Sequence, residues 1–286
     1  MSVPSPSGDP VLSGWTIRAI AQAPPGSLTI SLDLGQSRET VERSEAGILL
    51  NNGRSVTIDA LESELRHPED CVQIEAVGPR RIYFYSERTG NYYQLYQPAQ
   101  NLAPTVVIGG ATMHSIVDRE PWKDQEEKVR ALGGGGGTCL DTCFGLGYSA
   151  QLLARTGFDK VVSCEVDANV LRCAARNPWS RPSFTHAGIE IRPADLRKVV
   201  QNAPPEFYSA IFHDPPTPDQ AGELYAGSLY KQFFETLKRG GKLYHYVGAP
   251  GAKGGRDYAR GVMRRLQEGG FRKTRRAARG VLAVKG

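Results

Sequence analysis

From residue 138 onward the chain repeats one pattern: a short run of β-formers, a turn, then a stretch with helical periodicity. TCLDTC precedes YSAQLLARTG, KVVSCEV precedes ANVLRCAARN, and IEIRPAD precedes LRKVVQN. YSAIFHD precedes LYKQFFETLKRG, and KLYHYVG precedes ARGVMRRLQEGG. Five strand–helix units in series argue for an α/β fold with a doubly wound, mostly parallel sheet. FRKTRR and GVLAVKG are candidates for closing strands. Ahead of the repeats, PWKDQEEKVRAL (121–132) reads as a helix with Pro in its first turn, and 133–137 as a flexible glycine link. No Gly-Lys-Ser/Thr follows those glycines, so they are not a phosphate-binding P-loop.

The preceding hundred residues read differently. SLTISLDL (27–34) is strand-like, and AGILLNNGRSVTID (46–59) and RIYFYSERTGNYYQLY (81–96) read as hairpins. Only ALESELRH (60–67) reads as a helix. The expected organisation is a flexible Ser/Pro/Gly-rich tail over 1–12, a β-rich accessory domain over 13–107, and the α/β domain over 108–286. Tyr83, Tyr85, Tyr92, Tyr93 and Tyr96 are spaced to present a stacking surface, but strand aromatics usually fill cores and these are expected there.

Composition narrows the class. With 40% hydrophobic and 23% charged residues over 286 positions, the chain has ample material for a core. No apolar run approaches a membrane span, and MSVPSPSGDP lacks the parts of a signal peptide. Five cysteines with no Cys-x-x-Cys pair argue against a structural zinc or a disulfide framework, and point to a reducing cytoplasm. Charge is unevenly spread. Residues 1–100 hold 8 Lys+Arg against 12 Asp+Glu, whereas residues 231–286 hold 15 against 3. That basic end is either a surface for a polyanion or a solvated face, and both readings stay open.

The stretch CLDTCFGLGYSAQLLARTG (139–157) carries the chemistry. In an open α/β sheet the ligand lies at the carboxyl ends of the strands, beside the switch point. A strand ending at Asp141, a turn through Gly145 and Gly147 and a helix from Tyr148 bring backbone close to such a ligand. Eighteen residues past Gly147 a second strand ends at Glu165, where a carboxylate can hold both hydroxyls of a ribose. The pattern reads as a nucleoside site.

LDTCFGLGYSA resembles the first motif of class I S-adenosylmethionine-dependent methyltransferases, Asp-x-Gly-x-Gly-x-Gly, with Cys143 in place of the first glycine. The resemblance covers roughly residues 121–286 and implies a Rossmann-like sheet with S-adenosyl-L-methionine as cofactor. It places Glu165 on the ribose, Asp195 of RPADL on the adenine amino group, and Asp214-Pro215-Pro216 of IFHDPPTPD on the fourth motif. The implied cofactor-binding set is Asp141, Cys143, Gly145, Gly147, Glu165, Val166, Asp195 and Asp214, and the implied catalytic set is Asp214, Pro215 and Pro216. More narrowly, LDTCFGLGYSA, RNPWS, FHDPP, AGELY and LYHYVGAPG resemble predicted methyltransferases known mainly from archaea, often labelled spermidine-synthase-like. Those are related in pattern to the methyltransferase that finishes aminomethyl groups on tRNA wobble uridine. Relatives tend to carry Asp-Pro-Pro-Arg where this chain has Thr217.

In Asp-Pro-Pro-aromatic sites the carboxylate and a following carbonyl accept the hydrogens of an amine, aiming its lone pair at the methyl group. Asp214-Pro215-Pro216 fits that role, with Tyr225 or Phe184 as stand-ins for the missing aromatic. His114, His213 and His245 are expected to be structural, and Cys143 and Cys164 to be packing residues rather than nucleophiles. The favoured function is nitrogen methylation of RNA of tRNA size. The basic residues Arg260, Arg264, Arg265, Arg272, Lys273, Arg275, Arg276 and Arg279 are the expected RNA contacts, with Arg260 and Arg264 on one helix face and Arg265 beside it. The alternative is methyl or aminopropyl transfer to a small amine. A basic surface repels a polyamine, and the Gly-Gly-Gly-Asp-Gly motif and paired acids of spermidine synthases do not occur here. A third reading, a sensor that binds the cofactor without catalysis, fits an intact Asp-Pro-Pro motif least.

Overall fold

The computed structural model describes residues 2–117, 119–248 and 258–286, so the end of LYHYVGAPG lies outside the described residues. The chain groups into two compact units. One holds Lys123–Ala168 and Ser183–Gly286 with the first residues of the chain; the other holds Pro4–Trp122 and Asn169–Pro182.

The first unit is built on a seven-stranded sheet. Its strands are β1 (Thr138–Asp141), β2 (Lys160–Cys164), β3 (Ile189–Arg192), β4 (Tyr208–His213), β5 (Leu237–Tyr246), β6 (Lys273–Ala277) and β7 (Gly280–Val284). Their spatial order is 3-2-1-4-5-7-6. β1 to β5 run parallel, and β7 enters antiparallel beside β5, with β6 outermost. Both closing strands foreseen in the sequence therefore form. The order reverses between β1 and β4, so the crevice at their carboxyl ends is the switch point where such folds bind ligands.

The main helices of residues 121–286 are α1 (Pro121–Leu132), α2 (Tyr148–Arg155), α3 (Ala168–Arg176), α4 (Leu196–Gln201), α5 (Gly227–Thr236) and α6 (Tyr258–Glu268), of which α3 belongs from Asn169 onward to the second unit. Leu140, Val162, Ile211 and Leu243, one from each of four central strands, are completely buried. They join Phe233 of α5, Leu237 at the start of β5, Leu266 of α6 and Phe271 beyond it in one core. The glycine run before β1 is packed, not a free link. The Gly137 amide donates to Asp159 Oδ2 (2.6 Å) and its carbonyl accepts from Asp159 and Lys160. With φ at +77° and the Ser209 hydroxyl where a Cβ would stand, this position is strained for any residue but glycine.

The second unit carries three antiparallel sheets. They comprise Val11–Ser13, Cys71–Glu75 and Gly78–Arg81; Gly26–Ile30, Glu39–Arg43, Gly47–Leu49 and Ser55–Thr57; and Tyr83–Ser86, Asn91–Tyr96, Thr105–Ile108 and Ala111–Thr112. Both expected hairpins are among them. A helix over Gly14–Gln22 was not foreseen: Ser13 caps it through Thr16 N, and Ile17 and Ile20 point into a core with Leu12, Val41 and Val72. Its β-branched residues mask the helical period. The expected helix at 60–67 begins earlier, at Ile58, capped by Thr57, and stops at Ser63. The opening residues carry more structure than a tail: Arg181 donates to the carbonyls of Ser7 and Asp9, and Val11 and Leu12 are buried.

Candidate functional site

β1 ends at Asp141, whose side chain is wholly buried. Ser149 of α2 and Ser163 of β2 both donate to its Oδ2, at 2.9 and 2.6 Å. Oδ1 has no hydrogen-bond donor among the described residues. Burial pushes this carboxyl up to about 7, against the pull of the two serines, with Asp214 adding like charge. The turn that follows is fixed from within. Gly145 and Gly147 hold φ of +55° and +73°. A Cβ on Gly147 would run into Ser183 Oγ and the Phe144 ring (2.7 Å), so this glycine answers to the protein's own packing as well as to any ligand.

Glu165 follows β2. Its Oε2 accepts from the Gly145 amide (3.0 Å) and its Oε1 from the Asp167 amide (2.9 Å). That ties the glycine turn to the neighbouring strand end and leaves lone pairs on both oxygens. Burial raises this carboxyl to about 7 as well, opposed by those backbone bonds. Next to it Val166 is 63% exposed, an apolar residue standing open beside an acid. Together these residues fit the cofactor implied by the motif: an acid for ribose hydroxyls, an apolar face for a base, and an orphaned buried carboxylate oxygen favouring a positive group.

Asp195 stands otherwise. Its carboxylate caps α4 through Arg197 N (2.9 Å) and pairs with the Arg197 guanidinium (2.7 Å), which holds its carboxyl below the ordinary range. A structural task thus accounts for Asp195. Cys143 is half-buried with its thiol pushed up by burial, and Cys164 is pushed up to about 12, so neither is an activated nucleophile.

One strand over, Asp214 follows β4. Gln125 Nε2 and Lys128 Nζ, both from α1, donate to its Oδ2 at 2.8 Å each. Among the described residues Oδ1 accepts nothing. Lys128, itself buried, also pairs with Asp124 (2.8 Å) and lies 3.9 Å from the centre of the Tyr246 ring at the end of β5. Asp124 in turn pairs with Arg279. That arginine sits in the two-residue turn from β6 to β7, where Ala278 and Arg279 hold φ of 41° and 57°. Such a turn usually selects Asn or Gly. Here it is secured by Tyr244 Oη donating to Ala278 O (2.7 Å) and by the Arg279 pair. The residues missed in the sequence are thus Asp124, Gln125, Lys128 and Tyr246. A helix reading of PWKDQEEK treats its charges as solvated; only their i, i+1 and i+4 spacing hinted at a shared face.

His213 and His245 are buried and neutral. His213 Nε2 donates to Leu224 O (2.9 Å), so Nδ1 accepts from Thr142 Oγ1 (2.7 Å), and burial lowers its pKa to about 4. His245 Nδ1 donates to Tyr246 O and Nε2 accepts from Tyr230, with its pKa driven down by burial. His114 in the other unit is buried and bonds Thr105. All three have structural partners. Tyr225 is buried with its hydroxyl on Pro216 O (3.0 Å), and Phe184 packs edge-on to Phe144, so neither covers Asp214 as a lid.

The basic end is no single stripe. Arg265 turns inward beside Tyr230 with its Nε buried, and Arg279 belongs to the Asp124 pair. Arg260, Arg264, Arg272, Lys273, Arg275 and Arg276 are exposed. On β6, Gln267 of α6 reaches Thr274 (3.1 Å), so Thr274 and Arg276 share the α6 side while Lys273 and Arg275 take the opposite face.

The family described as S-adenosyl-L-methionine-dependent methyltransferase matches residues 175–278. An uncharacterized protein of Methanocaldococcus jannaschii is 40% identical over 247 residues, covering 80% of this chain and 84% of its own length. Spermidine synthase from Thermotoga maritima shares the fold, with a TM-score of 0.54 and 19% identity over 71% of this chain and 72% of that one. A spermidine synthase in complex with the transition-state analogue AdoDATO gives 0.56 at 19% identity, over 71% and 73%. Among the described residues no helix is long and apolar enough to cross a membrane. With the glycine turn, an acid at the next strand end and the strand order in place, the chain belongs to the S-adenosylmethionine-dependent methyltransferases, in one family with the Methanocaldococcus jannaschii protein.

Proposed function

We propose that the methyl acceptor is a nitrogen atom held by Asp214, and that the substrate is RNA of tRNA size. The observation that carries the nitrogen reading is the asymmetry of the Asp214 carboxylate. Gln125 and Lys128 hold Oδ2, which fixes the group's orientation, while Oδ1 is open to accept an N–H. The bound cofactor supplies an electrophilic methyl group. The protein then has to aim a lone pair and take a proton, and a fixed carboxylate oxygen does both. Tyr246 offers a flat apolar surface beside it, steadied by the Lys128 ammonium.

The same arrangement disfavours a small cationic amine. Spermidine synthases share the fold, but here the carboxylate already has a buried ammonium within 2.8 Å, and a second cation is repelled. The RNA reading rests on the six exposed cations of α6, β6 and the link between them. Charge on an outermost strand also blocks edge-to-edge pairing, which accounts for β6; on the helix Arg264 pairs with Glu268 (3.8 Å). The test is methyl transfer from labelled cofactor into bulk tRNA, followed by nucleoside mass spectrometry, with putrescine and spermidine in parallel. A methylated nitrogen on a nucleoside is the expected product; label in the polyamines alone would overturn the reading.

A further inference from the structure

The second unit carries a concentration of aromatic and charged surface that methyl transfer does not use. Strands Tyr83–Ser86 and Asn91–Tyr96 pair with Tyr85 opposite Tyr92 and Phe84 opposite Tyr93. Side chains alternate, so Phe84 and Tyr93 stack on one face, where Tyr93 is buried. The other face keeps Tyr83, Tyr85 and Tyr92 in the open, at 39, 51 and 50% exposure. Tyr93 takes the core position expected of it, whereas Tyr83, Tyr85 and Tyr92 do not. Their rings are ordered: Tyr83 stacks on Tyr92 at 5.3 Å and 16°, and Tyr85 leans on Tyr92 at 4.8 Å.

Against this strand lies a cavity of about 210 Å³ lined by Arg80, Arg81, Arg172 and Arg176, with Glu75 the lone acid in its wall. Arg81 stacks over Tyr83 (4.5 Å) while pairing with Asp70 (3.8 Å), and Arg172 stacks over Phe84 (4.1 Å), which holds both guanidinium groups in place. Arg172 has its pKa held down by partial burial and by the charge of Arg176, a like-charge approach that an anion would relieve. Residues 1–100, which supply Arg80 and Arg81, are acidic on balance, 12 Asp+Glu against 8 Lys+Arg, so that pair is not a by-product of a basic segment.

We propose that the arginine-lined cavity and the tyrosine face form one binding site for single-stranded RNA, a phosphate held in the cavity and bases stacked on Tyr83, Tyr92 and Tyr85. Tyr83 joins the two parts, since it lines the cavity and stacks on Tyr92. Guanidinium forks match phosphate oxygens, and every base offers a face to an aromatic ring, so the site tolerates sequence. The cavity is smaller than that of a drug-sized ligand, and suits one phosphate of a chain that continues outside it. This inference rests on the RNA reading above and adds where on the protein RNA is held.

The experiment is filter binding of full-length protein to a single-stranded RNA oligonucleotide and to tRNA, at two salt concentrations. The variants are Tyr83→Ala/Tyr85→Ala/Tyr92→Ala, its Phe counterpart, and Arg80→Glu/Arg172→Glu, each checked for unchanged cofactor affinity. The expected result is a loss of roughly tenfold or more in the alanine variant, near-normal binding in the phenylalanine variant, and a weaker salt dependence in the charge reversal. If wild type binds RNA and the alanine variant binds equally well, the site falls while the RNA reading stands. A change of oligomeric state in that variant with RNA affinity intact makes the face a contact between copies, and also sinks the proposal. No RNA binding by wild type at physiological salt removes both.

Discussion

Two carboxylate environments lie along the same edge of the sheet, and they are built on opposite principles. At the ends of β1 and β2, buried Asp141 and half-buried Glu165 have only hydroxyl and amide donors for company, and both are raised to about 7. Past β4, Asp214 has a buried ammonium and an amide on one oxygen, with Asp124 and Arg279 behind them. The first pair lacks positive charge and is poised for a ligand that brings it. The second is already compensated, which steers it toward a neutral hydrogen donor. On the proposed reading, one sheet edge separates a place for a cationic cofactor from a place for an uncharged acceptor.

Removing Asp214 should break this division of labour most visibly. Asp214→Ala is expected to lower turnover by roughly 10²- to 10⁴-fold, the range of a lost proton acceptor, with cofactor affinity close to wild type. Steady-state kinetics and calorimetry on one preparation decide it. Near-normal turnover would mean that the acceptor is not held by this carboxylate.

Glu165→Ala tests the other environment. Cofactor affinity should fall about tenfold or more, the scale of one or two charge-assisted hydrogen bonds. Because Glu165 also accepts from the Gly145 amide, Glu165→Gln is the control that retains an acceptor there. Equal affinity in all three proteins would remove the ribose assignment.

How far the sequence spoke for each region follows from this contrast. Asp141, Gly145, Gly147 and Glu165 are legible because strand ends and a glycine turn are local features, fixed within a few residues of one another. The Asp214 surroundings are not, since Gln125 and Lys128 lie 89 and 86 positions away, on a helix whose charges look like any solvated face. The helix at Gly14–Gln22 was hidden for a different reason, its β-branched residues being deciphered only by the core they enter. Exposure of Tyr83, Tyr85 and Tyr92 was equally out of reach, because alternation shows that a strand has two faces but not which one is covered.

Lys128→Met sharpens the comparison by making the acceptor side resemble the cofactor side. It leaves Asp214 with Gln125 alone and Asp124 with Arg279 alone. Loss of one partner from a buried pair costs about 3 kcal/mol, and the surviving partners place this variant at or below that figure. Denaturant unfolding measures it. The variant should also gain binding of putrescine, because the repelling ammonium is gone; a variant that still ignores diamines would show that Lys128 does not set the charge preference of this site.

The finest distinction between the two environments is their response to pH. Ribose hydroxyls donate to Glu165 best when it is ionised, and a positive ligand favours ionised Asp141. Both carboxyls sit at about 7 in the folded protein, so cofactor affinity should rise with pH through neutrality and level off above it. For one such group the ionised fraction, and with it the affinity, grows about threefold from about pH 6.5 to about pH 7.5. Binding should release protons, seen as a calorimetric heat that depends on the buffer. Stability without cofactor runs the other way. A carboxyl raised above its unfolded value keeps a proton that the unfolded chain has released, so its contribution declines as pH climbs from about 4 to about 7. Glu165→Gln should flatten part of both trends and Asp141→Asn the rest. Cofactor affinity independent of pH across this window would mean that neither carboxylate faces the positive ligand, and the contrast between the two ends of the sheet edge would lose its basis.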